Sequence, residues 1–104
     1  MTSVELILWS GCPSSEDARQ LLTRALTELG MAEQPVTERY IEDYLVAQEE
    51  QFVGSPTIRV NGQEIVPAGD QYGLTCRVYQ KSDGRFSPLP EYSAVIEGIR
   101  RLSA

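Results

Sequence analysis

Cys12 and Cys76 are the only thiols in a chain that carries no histidine. A closed structural zinc site takes four ligands, usually Cys and His, so one chain of this composition cannot build one. The missing imidazole also removes Cys–His and Ser–His catalysis. A nucleophilic sulfur here must be activated by backbone electrostatics or by neighbouring cations. Cys12 stands in Leu8-Trp9-Ser10-Gly11-Cys12-Pro13-Ser14-Ser15, between an apolar run and the first residues of a helical pattern. Three roles are open to it: a small buried hydrophobe, a soft-metal ligand, and a nucleophile.

The elements around it decide what it can do. Val4 to Trp9 is short, apolar and β-branched, and it stops at Ser10-Gly11, which predicts a buried strand and a turn. Ala18, Leu21, Leu22, Ala25, Leu26 and Leu29 recur at spacings of three and four, giving one apolar helical stripe with Gly30 as its left-handed stop. Pro13 suits the first helical position, which makes Cys12 the cap, and Ser14 with Asp17 offers a competing cap two residues later. Either choice leaves Cys12 at the positive end of the helix dipole, where a thiolate is favoured. There the hydroxyl or the N–H of Ser15 is placed to hydrogen-bond the sulfur.

Further along, Pro35 to Ile41 is extended with Glu38 and Arg39 inside it, as in a strand with one wet face or an edge. Glu42 to Phe52 predicts a short helix with Ile41, Leu45 and Phe52 on one side. Asn61-Gly62 suits the two positive φ angles of a type I′ hairpin, whose register pairs Val60 with Gln63, Arg59 with Glu64 and Ile58 with Ile65. Pro67 to Leu89 is rich in Gly, Asp, Ser and Pro around one alternating island, Leu74-Thr75-Cys76-Arg77-Val78-Tyr79, which predicts a short extra strand or a bent loop. In that island Cys76 shares a side with Leu74 and Val78, so burial is its plain explanation and a resolving thiol its functional one. Arg77 beside it either lowers its pKa or is solvated. Pro90 opens a last helix with Val95, Ile96, Ile99 and Leu102 inward.

Size and charge set limits. With 104 residues the expectation is a single domain over residues 1–104. A net charge of −6, dispersed along the chain, argues against nucleic acid or an anionic membrane as a partner. No run approaches the roughly 20 apolar residues of a bilayer span. The expectation is a cytoplasmic protein, monomeric or weakly dimeric.

Strand, helix, strand, helix, antiparallel hairpin and closing helix describe an α/β domain with a central mixed sheet of about four strands flanked by helices. Gly11-Cys12-Pro13-Ser14-Ser15 after the first strand, with Gly54-Ser55-Pro56-Thr57-Ile58 opening the hairpin, resembles the thioredoxin-like superfamily and its glutaredoxin-like branch. The resemblance implies that Cys12 is the reactive thiol and that Pro56 is a cis-proline packed beside it. It further implies that Trp9, Pro13, Ser55 and Thr57 line the substrate. Val66-Pro67-Ala68-Gly69-Asp70 resembles the segment that meets the γ-glutamyl end of glutathione, without its paired glycines, which adds Gly69 and Asp70. Ser15 stands where the dithiol members carry a second cysteine, so no local disulfide can form. What remains is similar to monothiol glutaredoxins, in which glutathione or another low-molecular-weight thiol resolves the mixed disulfide; Cys76 is the internal candidate.

Three functions follow. The first is a thiol–disulfide oxidoreductase with no bound cofactor, acting through a Cys12 thiolate on a disulfide-containing protein or small molecule. The second is a soft-metal binder using Cys12 and Cys76 for mercury, cuprous ion or arsenite. The third is an interaction module that keeps the fold without chemistry.

Overall fold

A computed structural model describes residues 2–66 and 71–103. Four strands form a mixed sheet: β1 (Val4–Leu8), β2 (Val36–Tyr40), β3 (Thr57–Val60) and β4 (Gln63–Glu64), in the order β2-β1-β3-β4. β1 runs parallel to β2 and antiparallel to β3, which pairs antiparallel with β4. Helix α1 (Ser15–Glu28) makes the parallel crossover, α2 (Tyr44–Glu49) joins β2 to β3, and α3 (Tyr92–Ser103) closes the chain. Between β4 and α3 a two-stranded ribbon, β5 (Tyr79–Gln80) with β6 (Phe86–Ser87), forms a second small sheet. The architecture is therefore α/β with a four-stranded mixed sheet flanked by helices, as expected. Among the described residues no helix is long and apolar enough to cross a membrane.

Local chemistry accounts for most boundaries. The expected hairpin is present: Asn61 and Gly62 take φ of 53° and 82°, and Arg59 pairs with Glu64 and Val60 with Gln63, while the Ile65 N–H donates to the Ile58 carbonyl at 3.1 Å. Helix α1 ends with Met31 N–H on Leu26 and Gly30 N–H on Thr27, the two bonds of a Schellman stop. Its start lies later than Pro13 suggests. Ser14 is the cap residue and Ser15 the first helical one, so Cys12 precedes the helix by two further residues.

Alternation along β1 splits the interior in two. Val4, Leu6 and Leu8 join Ile58, Val60, α1 and α3 in the larger apolar cluster. Ile7 faces the other way, onto Ile41, Ala47 and Phe52, with Trp9 and Leu74 at its margin. Helix α2 is shorter than expected and presents a different residue inward. Asp43 accepts from Leu45 N–H at 2.8 Å and Val46 N–H at 3.2 Å, so the helix begins after it. That phase buries Ala47 and leaves Leu45 68 % exposed.

Candidate active site

The Cys12 loop grows out of the end of β1. The Cys12 N–H donates to the Trp9 carbonyl at 3.0 Å, closing a turn, and the half-buried indole of Trp9 lies across Gly11. A Cβ at Gly11 would come within 2.4 Å of that ring. Ser10 gives its N–H, at 2.9 Å, and its hydroxyl to the Glu42 carboxylate. These two bonds hold Glu42 below the usual carboxylate range. Pro13 is exposed at the tip, while Cys12 itself is only 3 % exposed.

Opposite it stands the turn before β3. The Ser55–Pro56 peptide bond is cis, and Ser55, Pro56 and Thr57 are all buried. The Thr57 hydroxyl donates back to the Gly54 carbonyl at 2.6 Å. The Cys12 thiol donates to the Ser55 carbonyl at 3.4 Å. The Ser55 hydroxyl, fully buried, has no partner of normal hydrogen-bond geometry.

A strap, residues 71–78, brings the second sulfur to the first. Ser55 receives it through its backbone: its N–H donates to Thr75 at 2.8 Å and its carbonyl accepts from the Arg77 N–H at 2.8 Å, a parallel bridge opposite Cys76. This close approach requires Gly54, whose φ is 130° and whose Cβ, were there one, would lie 3.0 Å from the Arg77 nitrogen. Four side-chain bonds also fix the strap. Arg77 is buried, donating to Glu64 at 2.7 Å and to the Val66 carbonyl at 2.8 Å, with its guanidinium 4.3 Å above the Tyr79 ring. The Tyr79 hydroxyl donates to the Pro56 carbonyl at 2.6 Å, and the Gln48 amide to the Tyr72 carbonyl at 2.6 Å.

The two thiols interact and titrate as a pair. Burial pushes Cys12 up, but the Cys76 side chain, the Ser14 N–H and hydroxyl, and the Ser55 side chain, all placed to donate to a thiolate, outweigh it and hold Cys12 below its ordinary value. Cys76 moves the opposite way, because keeping its proton lets it serve Cys12; slight desolvation and the Cys12 charge add to this. Once the pair loses its first proton, the negative charge is favoured on Cys12. The Ser55 hydroxyl fits that state: it lacks a partner while Cys12 is a thiol aimed at the carbonyl, and a thiolate would accept from it.

Several expected roles change. Ser14, and not Ser15, lowers the Cys12 pKa, because the helix begins at Ser15 and Ser14 is the residue left facing the loop. Cys76 is not buried with Leu74 and Val78. It is exposed, Val78 is 64 % exposed, and Arg77 and Tyr79 turn inward instead. Arg77 is neither solvated nor aimed at the thiol, since Glu64, Val66 and Tyr79 engage it. Arg59 and Glu64 stand opposite each other in register, but their side chains go elsewhere: Arg77 takes Glu64, and Arg59 donates to the Glu50 and Gln51 carbonyls. Ser55 and Thr57 support the site from beneath and do not line an open surface. Gly69 and Asp70 lie outside the described residues. Gln48, Glu64 and Tyr79 carry no motif that marks them as anchors; the only sequence signal was that Arg77 and Tyr79 share one side of an alternating island.

Comparison with protein-family models, curated proteins and solved structures finds no match.

Proposed function

We propose that the chain is a thiol–disulfide oxidoreductase of thioredoxin-like fold whose working unit is the pair Cys12 and Cys76. One observation carries this: a buried sulfur bonded to the Ser55 carbonyl, and an exposed sulfur on the strap that pairs with the same Ser55, with pKa shifts in opposite directions. Thiolate is the attacking form in exchange, and a low-pKa thiolate is also the better leaving group. Cys12 supplies the nucleophilic thiolate of the pair, and Cys76, glutathione or another low-molecular-weight thiol takes part in completing the cycle. Support for the fold comes from the strand order, the cysteine loop ahead of α1 and the Ser55–Pro56 turn ahead of β3. A cytoplasmic setting with a glutathione pool suits such chemistry.

The test is mild oxidation followed by thiol counting and peptide mapping, together with turnover of a small disulfide in the presence of glutathione. The reading expects an internal Cys12–Cys76 bond and turnover that Cys12→Ser abolishes. Full turnover in Cys12→Ser would remove Cys12 from the chemistry, and absence of turnover in the wild-type chain would leave only an interaction module.

Two adjacent sulfurs also suit a soft d10 cation in two-coordinate geometry, a second reading favoured by the same pairing. Intact-mass measurement after challenge with mercuric or cuprous ion distinguishes it: one metal per chain, lost in Cys76→Ser.

A further inference from the structure

We propose that Cys76, and not Cys12, is the sulfur that bonds covalently to the substrate, while Cys12 attacks and leaves only within the chain. This rests on the oxidoreductase reading and fixes which disulfide sulfur Cys12 attacks.

Three observations carry it. Cys12 is 3 % exposed and Cys76 is exposed. In-line exchange puts the attacking, attacked and leaving sulfurs on one line, so the whole disulfide must fit in front of the attacker, and the exposure of Cys76 allows this. Second, the backbone N–H and C=O of Ser55, the groups with which an extended peptide would pair to reach Cys12, are already bonded to Thr75 and Arg77. The chain's own strap occupies that edge, and Arg77, Tyr79 and Gln48 hold it there. Third, the donors that would stabilise a thiolate, Ser14 and the buried, unpartnered Ser55 hydroxyl, converge on Cys12. They favour a sulfur that cycles between thiolate and internal disulfide.

The reductive half-cycle balances as follows. The Cys76 thiol attacks a disulfide R–S–S–R′ as its proton passes to the Cys12 thiolate, forming Cys76–S–S–R and releasing R′S⁻. R′S⁻ takes the proton from Cys12 and departs as R′SH. The Cys12 thiolate then attacks the Cys76 sulfur, closing the internal disulfide and expelling RS⁻. Two electrons pass from the chain to the substrate. In reverse, an external thiolate attacks Cys76 and Cys12 is the leaving group. Because strand pairing at Ser55 is closed, the substrates are those that present a sulfur at the surface: a low-molecular-weight disulfide or an exposed disulfide of a folded protein.

The test maps the adduct. Oxidised wild-type protein is treated with glutathione, quenched in acid, alkylated at free thiols and digested with trypsin, which separates the two cysteines by cutting at Arg19, Arg59 and Arg77. The expected result is glutathione on Cys76 and the alkyl label on Cys12; glutathione on Cys12 overturns the proposal and leaves the oxidoreductase reading standing. If oxidation gives no internal bond and glutathione joins neither cysteine, that reading fails and this one with it. As a second measurement, Cys12→Ser and Cys76→Ser are reacted with glutathione disulfide above pH 8.5, where an ordinary thiol is ionised, so that access governs the rate. Cys12→Ser should form its adduct at least about tenfold faster. Equal rates, or the reverse order, overturn the assignment.

Discussion

The two faces of the sheet are built differently. On one, α1 and α3 lie on β1 and β3 through a continuous apolar cluster. On the other, four buried residues with Trp9 and Leu74 at their margin make a thin layer, and what lies above it is held by hydrogen bonds from Gln48, Arg77 and Tyr79. The thick face fixes the start of α1, and with it Cys12. The thin face carries the strap, and with it Cys76. Non-directional apolar burial places the first sulfur; directional polar bonds place the second. A loss of volume on the first face should therefore be felt chiefly as lost stability, and a change on the second should be felt at Cys76 as well.

Substitutions can break that contrast. Phe52→Ala should have the largest effect, about 3–5 kcal/mol in denaturant unfolding, because the ring is fully buried and its own carbonyl accepts from Gly73 at 2.9 Å. It should also change the ratio of alkylation rates at Cys76 and Cys12. Leu22→Ala on the opposite face should cost about 2–5 kcal/mol and shift that ratio less, because Ala18, Ala25 and Leu26 still seat α1 on the sheet. A change in the ratio of equal size would erase the distinction between the faces.

Tyr79→Phe removes one hydroxyl and leaves the Pro56 carbonyl without its buried donor, a cost of about 1–3 kcal/mol. Its sharper readout is the yield of the internal disulfide under mild oxidation, which should fall as the strap loosens. Asp43→Ala deletes the α2 cap for about 1 kcal/mol, read as a shift of the unfolding midpoint, with little change at either thiol. The smallest effect on stability belongs to Cys76→Ala. The folded chain holds Cys12 below its ordinary value and Cys76 above it. The Cys12 contribution is present above an unfolded thiol value of about 8.5 and is lost as pH falls through the folded one. The Cys76 contribution has the opposite sign, being lost as pH rises through its folded value. The two offset, so thiolate absorbance is the useful measurement: Cys76→Ala should move the Cys12 titration to higher pH.

What could be read from the sequence follows the same contrast. The α1 stripe, the Gly30 stop and the Asn61-Gly62 hairpin depend on neighbours a few residues away, and the structure has all three. Cys12 at the positive end of α1 was legible for the same reason, within two residues. The orientation of the strap was not. Alternation showed that Cys76 and Arg77 point to opposite sides, but the choice of side is made by Glu64, Val66 and Pro56, which supply a carboxylate and two carbonyls from distant positions. A buried arginine is improbable until its carboxylate is known. Leu45 misled for a related reason: the Asp43 cap sets the phase of α2, and that phase brings Ala47 inward.

One feature reaches beyond chemistry at the site. Cys12 and Cys76 bracket most of the sheet, so a bond between them would tie roughly 60 residues into a ring and restrict the unfolded chain by an amount equivalent to about 4 kcal/mol. The same two electrons that reduce a substrate would thus raise the melting temperature of the protein, and the fraction oxidised in a population could be read from its thermal unfolding curve alone.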